Sequence, residues 1–177
     1  MNIYHYLKQD HARLRSLANR ILDAPPESPL RYKLFMKFKA AIRSHADIEA
    51  RTLYTTLLRI PRAHPVAREG IEGQRRMAEA LGELEHYPLK SDKWTLQFSR
   101  IRELLEEQQC EEEELLYPAA QRLLTQADVV GQMTDQYRES LTRHRQPDTE
   151  VTNLCAGKHR PFPPVDSRIE ESLPGTA

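Results

Sequence analysis

The sequence predicts an all-α fold, an antiparallel four-helix bundle that runs up-down-up-down. Three observations support this prediction. Apolar residues recur at steps of three and four along most of the chain, which is the pattern of a helix with one buried face. Prolines between residues 25 and 88 bracket long segments that contain no internal proline. No segment shows the sustained alternation of apolar and polar residues that is typical of a strand.

The limits of each helix follow from its start and stop signals. The first helix ends before Pro25-Pro26, because proline interrupts a helix interior. The second begins after Ser28, whose hydroxyl can cap it, with Pro29 in its first turn. The fourth is capped near Ser91-Asp92, and a short fifth helix follows Thr125. The five predicted helices span about residues 3–22, 29–58, 65–86, 92–124 and 126–145.

Helix length and loop length together predict the bundle topology. The second and fourth helices have about 30 residues each, or ~45 Å at the usual rise per residue. Short connections place neighbouring helices antiparallel, so residues 1–145 are predicted to form one four-helix bundle. Beyond it, five of the twelve prolines fall in the last 31 residues and the helical period ends. Residues 146–177 are therefore predicted to be a Pro-rich, disordered tail.

The overall charge and the N-terminal sequence exclude several classes of protein. Lys and Arg total 26, as do Asp and Glu, so the chain lacks the excess basic charge of nucleic-acid binders and of proteins that bind anionic membranes. No apolar run is long enough to span a bilayer, and the N-terminus does not resemble a signal peptide. Two cysteines, Cys110 and Cys155, cannot form a disulfide framework. We expect a cytoplasmic protein without nucleic-acid or membrane partners.

Polar residues interrupt the apolar stripe of each bundle helix. Burying such a group is costly unless a partner satisfies it. One group per helix could converge at a single level of the bundle and satisfy the others, or a metal ion. On the fourth helix the stripe is predicted to continue through Leu115 and Ala119. The interrupting residues are His11 on the first helix, His45 and Glu49 on the second, Gln74 on the third, and Gln108 and Glu112 on the fourth.

The spacing of these residues indicates an internal repeat. His11 precedes His45 by 34 residues, and Gln74 precedes Gln108 by the same 34. A glutamate stands four positions after His45 and four after Gln108, and a Leu-Tyr pair follows in both copies, at residues 53–54 and 116–117. The chain therefore consists of two similar helical hairpins, one with His where the other has Gln. This repeat predicts a pseudo-symmetric site between the hairpins.

Three short motifs carry a family resemblance. They are Asp10-His11, then His45-x-x-x-Glu49 followed by Leu53-Tyr54, then Glu112 followed by Leu116-Tyr117-Pro118. With these motifs the chain resembles the hemerythrin-type cation-binding domain over roughly residues 3–145. The resemblance implies an antiparallel four-helix bundle with a non-haem di-iron site, held by histidines from all four helices and two bridging carboxylates. It also implies a role in binding oxygen or in iron, nitric-oxide or redox responses.

The first hairpin keeps the family's ligand pattern. The resemblance implies that His11, His45 and Glu49 bind metal and that Glu112 is the second bridging carboxylate. Two histidines and a carboxylate with open positions form a non-haem iron arrangement. These four residues could bind one Fe(II), with Mn(II) or Zn(II) as other possibilities. An ordinary helix pair between His45 and Glu49, and a pairing of His11 with Asp10 or a carbonyl, are the alternatives without metal.

The second hairpin departs from the family pattern. Gln74 and Gln108 replace the histidines of the third and fourth helices, and Gly70 stands where many members carry a further histidine. A second metal would depend on the two carboxylates and two neutral amides, so we expect mononuclear or weak di-iron binding. The amides are more simply explained as residues that fill the vacated space and hydrogen-bond within the site. The candidate metal ligands are His11, His45, Glu49, Glu112, Gln74 and Gln108.

The neighbouring residues have simpler explanations. Tyr54 and Tyr117 are expected to be core residues with a bonded hydroxyl, although they could also support the ligands or supply a phenolate. Residues 111–114 form a run of glutamates that is expected to be solvated, apart from Glu112 on the stripe. We find no Cys/His pairing that indicates nucleophilic catalysis.

The favoured function is non-haem iron binding linked to oxygen, nitric-oxide or redox sensing, or to iron handling, with oxygen or nitric oxide as the small molecule bound at the metal. Two alternatives stand beside it. One is a metal-free helical scaffold or interaction domain that has lost the ancestral site. The other is a mononuclear iron oxidase or peroxidase-like enzyme.

Overall fold

The structure, a computed structural model, describes residues 1–145, which form helices joined by short turns and contain no strand. This confirms the predicted all-α class. The predicted disordered tail, residues 146–177, lies outside the described residues. Within residues 1–145 no helix combines the length and the apolar character needed to cross a membrane. The helices are α1 (Ile3–Asp23), α2 (Pro29–Glu49), α3 (Thr55–Leu57), α4 (His64–Leu84), α5 (Asp92–Glu111), α6 (Tyr117–Leu123) and α7 (Ala127–Arg145).

Four helices form the bundle, and a fifth packs on its outside. α1 packs along α2 and against α5, and α4 packs along α5, so the two predicted hairpins lie side by side. α7 contacts α1 and the turn that follows α2. Short turns connect the helices of each hairpin, which explains their antiparallel arrangement.

Serine caps begin two of the long helices, as predicted. The Ser28 hydroxyl accepts a hydrogen bond from the Arg31 N–H at 3.2 Å, and Pro29 lies in the first turn of α2. The Ser91 hydroxyl accepts one from the Trp94 N–H at 3.1 Å and begins α5. These caps satisfy backbone donors that have no partner inside the helix.

The second and fourth predicted helices are each divided by a π-helical turn. The first turn, Ala50–Tyr54, directly follows Glu49. The second turn, Glu112–Leu116, begins at Glu112. A π-turn inserts a residue relative to α-helical spacing and rotates the residues after it. Consequently Leu116 is buried, whereas Leu115 is 68% exposed. The predicted continuation of the apolar stripe through Leu115 was wrong for this reason.

The hydrophobic core has two parts with a polar layer between them. One part lies toward the α1–α2 and α4–α5 turns and contains Trp94, Phe98 and Phe38. The other lies toward the opposite end and contains Leu7, Tyr54 and Tyr117. The residues between these clusters along each helix are the predicted polar ones. The fold therefore brings the polar residues of all four bundle helices to one level between the two core clusters.

Candidate metal centre

The polar layer contains four buried ionisable side chains from three elements. His11 comes from the middle of α1, His45 and Glu49 from the last turns of α2, and Glu112 from the start of the second π-turn. All four are at most 8% exposed. Burial of this many ionisable groups is unfavourable unless they pair with one another or with a cation.

His11 lies at the centre of the layer. Its Nε2 atom is 3.2 Å from His45 Nε2, 3.1 Å from Glu112 Oε2 and 3.2 Å from the Tyr117 hydroxyl. His11, His45 and Glu112 each offer a ligand atom, and these three atoms lie within 4.8 Å of one another. Two imidazole nitrogens and a carboxylate oxygen therefore converge on one small volume.

Glu49 lies next to this group. Its Oε2 atom is 3.8 Å from His45 Nε2, so Glu49 is close to one histidine of the group. Its two oxygens are already hydrogen-bonded, with Oε1 accepting from the Tyr117 hydroxyl at 3.0 Å and Oε2 from Gln74 Nε2 at 2.9 Å. These two donors hold the carboxylate in place beside the His11–His45 pair.

Gln74 and Gln108 both face the carboxylates, as the repeat predicted. Gln74 Nε2 donates to Glu49 Oε2 at 2.9 Å, and Gln108 Nε2 donates to Glu112 Oε1 at 2.9 Å. Each amide thus serves here as a hydrogen-bond donor to one glutamate of the layer. This arrangement agrees with the interpretation that the amides fill space left by histidines.

The two tyrosines connect the hairpins crosswise. The Tyr54 hydroxyl donates to Glu112 Oε1 at 3.3 Å, and the Tyr117 hydroxyl donates to Glu49 Oε1 at 3.0 Å. Each tyrosine therefore binds the glutamate of the other hairpin. Both are fully buried, so the prediction of core tyrosines with bonded hydroxyls is confirmed. These two reciprocal hydrogen bonds reflect the pseudo-symmetry that the repeat indicated.

The electrostatics of the layer separate the two histidines. Burial, with a smaller contribution from the charge of His45, lowers the pKa of His11 to about 4. Burial also acts to lower the pKa of His45, but Asp10, Glu49 and Glu112 outweigh it and raise that pKa to about 9. Burial raises the pKa of both glutamates. Without a metal ion, His45 is therefore the cation of the layer, and His11 is a neutral imidazole.

Comparison with known proteins decides the family. The model of the hemerythrin HHE cation binding domain matches residues 2–120, two thirds of the chain. The chain belongs to the hemerythrin HHE family. A solved structure, a hemerythrin HHE cation binding domain-containing protein from Mycobacterium kansasii, superposes with a TM-score of 0.72 at 22% identity and covers 82% of this chain and 88% of its own. At that identity the likeness concerns the fold. No curated protein sequence matches the chain.

Two charged residues outside the predicted set support this HHE site. Glu113 Oε1 lies 2.9 Å from His11 Nδ1, and Arg15 Nη1 donates to the same oxygen at 3.2 Å. The expectation that Glu113 belongs to a solvated run was therefore wrong. Glu113 stands one helical turn after Gln109, and Arg15 of α1 donates to both side chains, so both lie on the side that faces α1. Within the run of glutamates at residues 111–114, composition alone does not distinguish Glu113 as the one that contacts His11.

Asp10 supports the other histidine. Its Oδ2 atom accepts a hydrogen bond from the Tyr137 hydroxyl of α7 at 2.5 Å and lies 3.7 Å from His45 Nδ1. That nitrogen is buried and has no hydrogen-bond partner among the described residues, and at 3.7 Å Asp10 acts on it mainly through its charge. The alternative that Asp10 pairs with His11 is therefore wrong. α7, which follows the part matched by the family model, contributes to the site through Tyr137.

Gly70 of α4 gives Tyr54 the space to reach the site. A Cβ atom at Gly70 would lie 2.4 Å from the Tyr54 hydroxyl oxygen and 2.7 Å from Leu116 Cδ1. The phenol ring of Tyr54 therefore fills the space next to residue 70. Many family members are expected to carry a histidine at that position. The observed position of Tyr54 therefore requires a residue without a side chain at position 70.

This close approach predicts opposite effects of alanine at two glycines of α4. Gly70→Ala forces Tyr54 and Leu116 to shift and should lower the free energy of unfolding by about 1–3 kcal/mol. Gly82→Ala meets no atom within 4 Å and should raise it by about 0.5–1 kcal/mol through helix propensity. Urea unfolding of both variants measures the difference. Equal stabilisation by both substitutions would contradict the tight packing at Gly70.

A cleft opens from the surface toward this side of the site. It has a volume of about 410 Å³ between α4 and the second π-turn, and Gln108 and Glu112 lie among its lining residues. Gly70 and Gly73 line its α4 side, where larger side chains would fill it. The cleft offers small molecules a path toward the Glu112 side of the layer.

Proposed function

We propose that this HHE domain binds one iron ion through His11, His45 and Glu112, with Glu49 as the adjacent carboxylate. The observation that carries the proposal is the meeting of His11 Nε2, His45 Nε2 and a Glu112 oxygen within 4.8 Å in a buried layer. Two imidazole nitrogens this close can satisfy each other only by sharing a proton. A divalent cation would accept both lone pairs and compensate the buried carboxylates, so the donor set fits a metal.

The surrounding residues prepare this donor set. Glu113 at His11 Nδ1 and Asp10 near His45 Nδ1 favour the tautomers that leave each Nε2 free for a metal. Tyr117 and Gln74 fix the orientation of Glu49. When bound, iron would supply redox chemistry and reversible binding of a small molecule such as oxygen or nitric oxide. We propose sensing or iron handling on this basis in the cytoplasm, with Zn(II) and Mn(II) as other ions that the donor set suits.

A second metal position would be weaker. Its ligands would be Gln74 and Gln108 together with Glu49 and Glu112. A neutral amide oxygen contributes less than an imidazole to binding iron. Both amide nitrogens donate to the carboxylates, which holds these carboxylates in place without a second ion. We therefore propose that the first position fills before the second.

The alternative function is a metal-free helical scaffold. One observation favours it: three of the four oxygens of Glu49 and Glu112 accept hydrogen bonds from tyrosine hydroxyls or glutamine amides of the protein. A layer satisfied in this way can be stable without a metal. The two functions differ in what an added metal ion does to stability.

Thermal unfolding with added metal distinguishes these functions. Metal that binds only the folded state stabilises it, by about 2.7 kcal/mol when its free concentration is 100 times the Kd. We expect the Tm of the metal-free protein to rise with Fe(II) under anaerobic conditions, and with Zn(II) or Mn(II). His11→Ala should abolish the rise. A Tm that none of the three ions raises would favour the scaffold.

The contribution of α7 gives a further prediction. Tyr137→Phe removes the hydrogen bond to Asp10 and frees this carboxylate to move away from His45. Because outer hydrogen bonds to ligands affect metal affinity by about 10- to 100-fold, and Tyr137 is one contact further out, we expect a loss of up to about tenfold. Competition with a chelator measures the affinity. Tyr32→Phe, at an exposed position of α2, is the control. Equal metal affinities in the two variants would show that Tyr137 of α7 does not contribute to metal binding.

A further inference from the structure

A small cavity adjoins the metal layer on the side of the aromatic core. Its volume is about 30 Å³. Its lining combines His45 and Glu112 from the layer with apolar side chains such as Leu14 and Met77. A water molecule needs at least about 10–15 Å³ of such volume, so this cavity accommodates one molecule of two or three heavy atoms at most.

One buried hydrogen-bond donor in the cavity wall lacks a partner. Gln109 of α5 lines the cavity and is only 2% exposed, more buried than its neighbour Gln108. Its Nε2 atom is buried and has no hydrogen-bond partner among the described residues. Leaving such a donor unpaired costs about 1–3 kcal/mol. A buried, unpartnered donor beside a cavity is suited to bind an acceptor there.

Arg15 binds the oxygen end of the Gln109 amide. Arg15 Nη1 donates to Gln109 Oε1 at 2.9 Å and also to Glu113 Oε1 at 3.2 Å. Glu113 in turn contacts His11 Nδ1 at 2.9 Å. Because the amide oxygen is held by Arg15, the NH₂ group is the end that remains for a molecule in the cavity. The same arginine therefore connects the amide with a metal ligand.

We propose that Gln109 Nε2 donates a hydrogen bond to the small molecule that binds at the metal, and that Gln109 thereby favours ligands with a strong acceptor atom. The ligand class is a hydrogen-bond acceptor of two or three heavy atoms, set by the cavity volume. This inference rests on the proposed metal site. Glu112 lines the same cavity and disfavours a free anion, so an anionic acceptor binds there only with the metal.

Azide binding to the iron-loaded, oxidised protein tests the role of Gln109. The Kd for azide is measured by optical titration, its asymmetric stretch by infrared spectroscopy, and iron per chain by elemental analysis. Gln109→Met keeps a similar volume and removes the donor. It should weaken azide binding by about 3- to 10-fold, as the loss of one neutral hydrogen bond does, and shift the azide stretch. Gln97→Met, on the same helix outside the cavity, should change neither.

Each other outcome contradicts a defined part of the account. An unchanged azide Kd and stretch in iron-loaded Gln109→Met would overturn the role of Gln109 and leave the metal site standing. Loss of iron in that variant, with the Tm preserved, would also overturn it, because Gln109 would then act on metal retention. A parent protein without iron would remove the proposed function and this inference together, and elemental analysis detects that failure independently of azide.

Discussion

His45→Ala should remove most of the bound metal from the protein, whereas Gln108→Ala should remove little. His45 Nε2 lies 3.2 Å from His11 Nε2 and belongs to the group that converges within 4.8 Å. Gln108 only donates a hydrogen bond to Glu112. Loss of a direct ligand should lower affinity by more than the roughly 10- to 100-fold that loss of an outer hydrogen bond costs.

The measurement is metal per chain in parallel purifications from iron-supplemented medium. The Tm of each metal-free protein shows that both variants fold. Gln108→Ala is a matched control because it removes a side chain from the same layer without removing an imidazole. Equal metal content in His45→Ala and the parent protein would contradict the assignment of His45 as a ligand.

Restoring two histidines in the second hairpin should create a second metal position. The amide nitrogens of Gln74 and Gln108 each lie 2.9 Å from a carboxylate of the layer. Imidazole is close to carboxamide in reach, so Gln74→His with Gln108→His should fit with modest repacking. The two imidazoles would then supply nitrogen donors beside Glu49 and Glu112. Tyr54 still fills the space in front of Gly70, so no third histidine is available there.

Iron per chain of this double variant, compared with the parent, measures the effect. We expect a rise from about one toward two ions, together with stronger near-ultraviolet absorption of the oxidised protein. Gln97→His, which adds an imidazole to α5 outside the layer, should leave the iron content unchanged. A folded double variant that still binds at most one ion would show that these positions cannot complete a second site.

The residues of the polar layer were predictable because several patterns agree on them. The positions of His11, His45 and Glu112 follow from helical periodicity. The 34-residue repeat relates His11 to His45, and the spacing of four relates Glu112 to Glu49. Burying such groups on an apolar stripe is costly, so their presence there was informative by itself. Bonded hydroxyls were expected for Tyr54 and Tyr117, but their crosswise bonds to the glutamates of the opposite hairpins come from the structure.

The supporting residues were not predictable because their contacts depend on tertiary packing. Glu113 contacts His11 from within a run of glutamates whose members look alike in the sequence. The π-turn that contains it was not predicted either, and it turned Leu115 outward. Tyr137 reaches Asp10 from a helix whose docking position the periodicity does not specify. Gln109 is adjacent to the predicted Gln108 and both line the small cavity, yet Gln109 is the more buried of the two.

We propose that the first hairpin and Glu112 form one competent metal position and that the second position is weak. Elemental analysis of the unmodified protein, expressed in iron-supplemented medium and freed of loosely bound ions by gel filtration, tests it most directly. We predict about one metal ion per chain, mainly iron. A value near zero would contradict the metal site, and a value near two would show that Gln74 and Gln108 are adequate ligands and that the two positions do not differ as claimed.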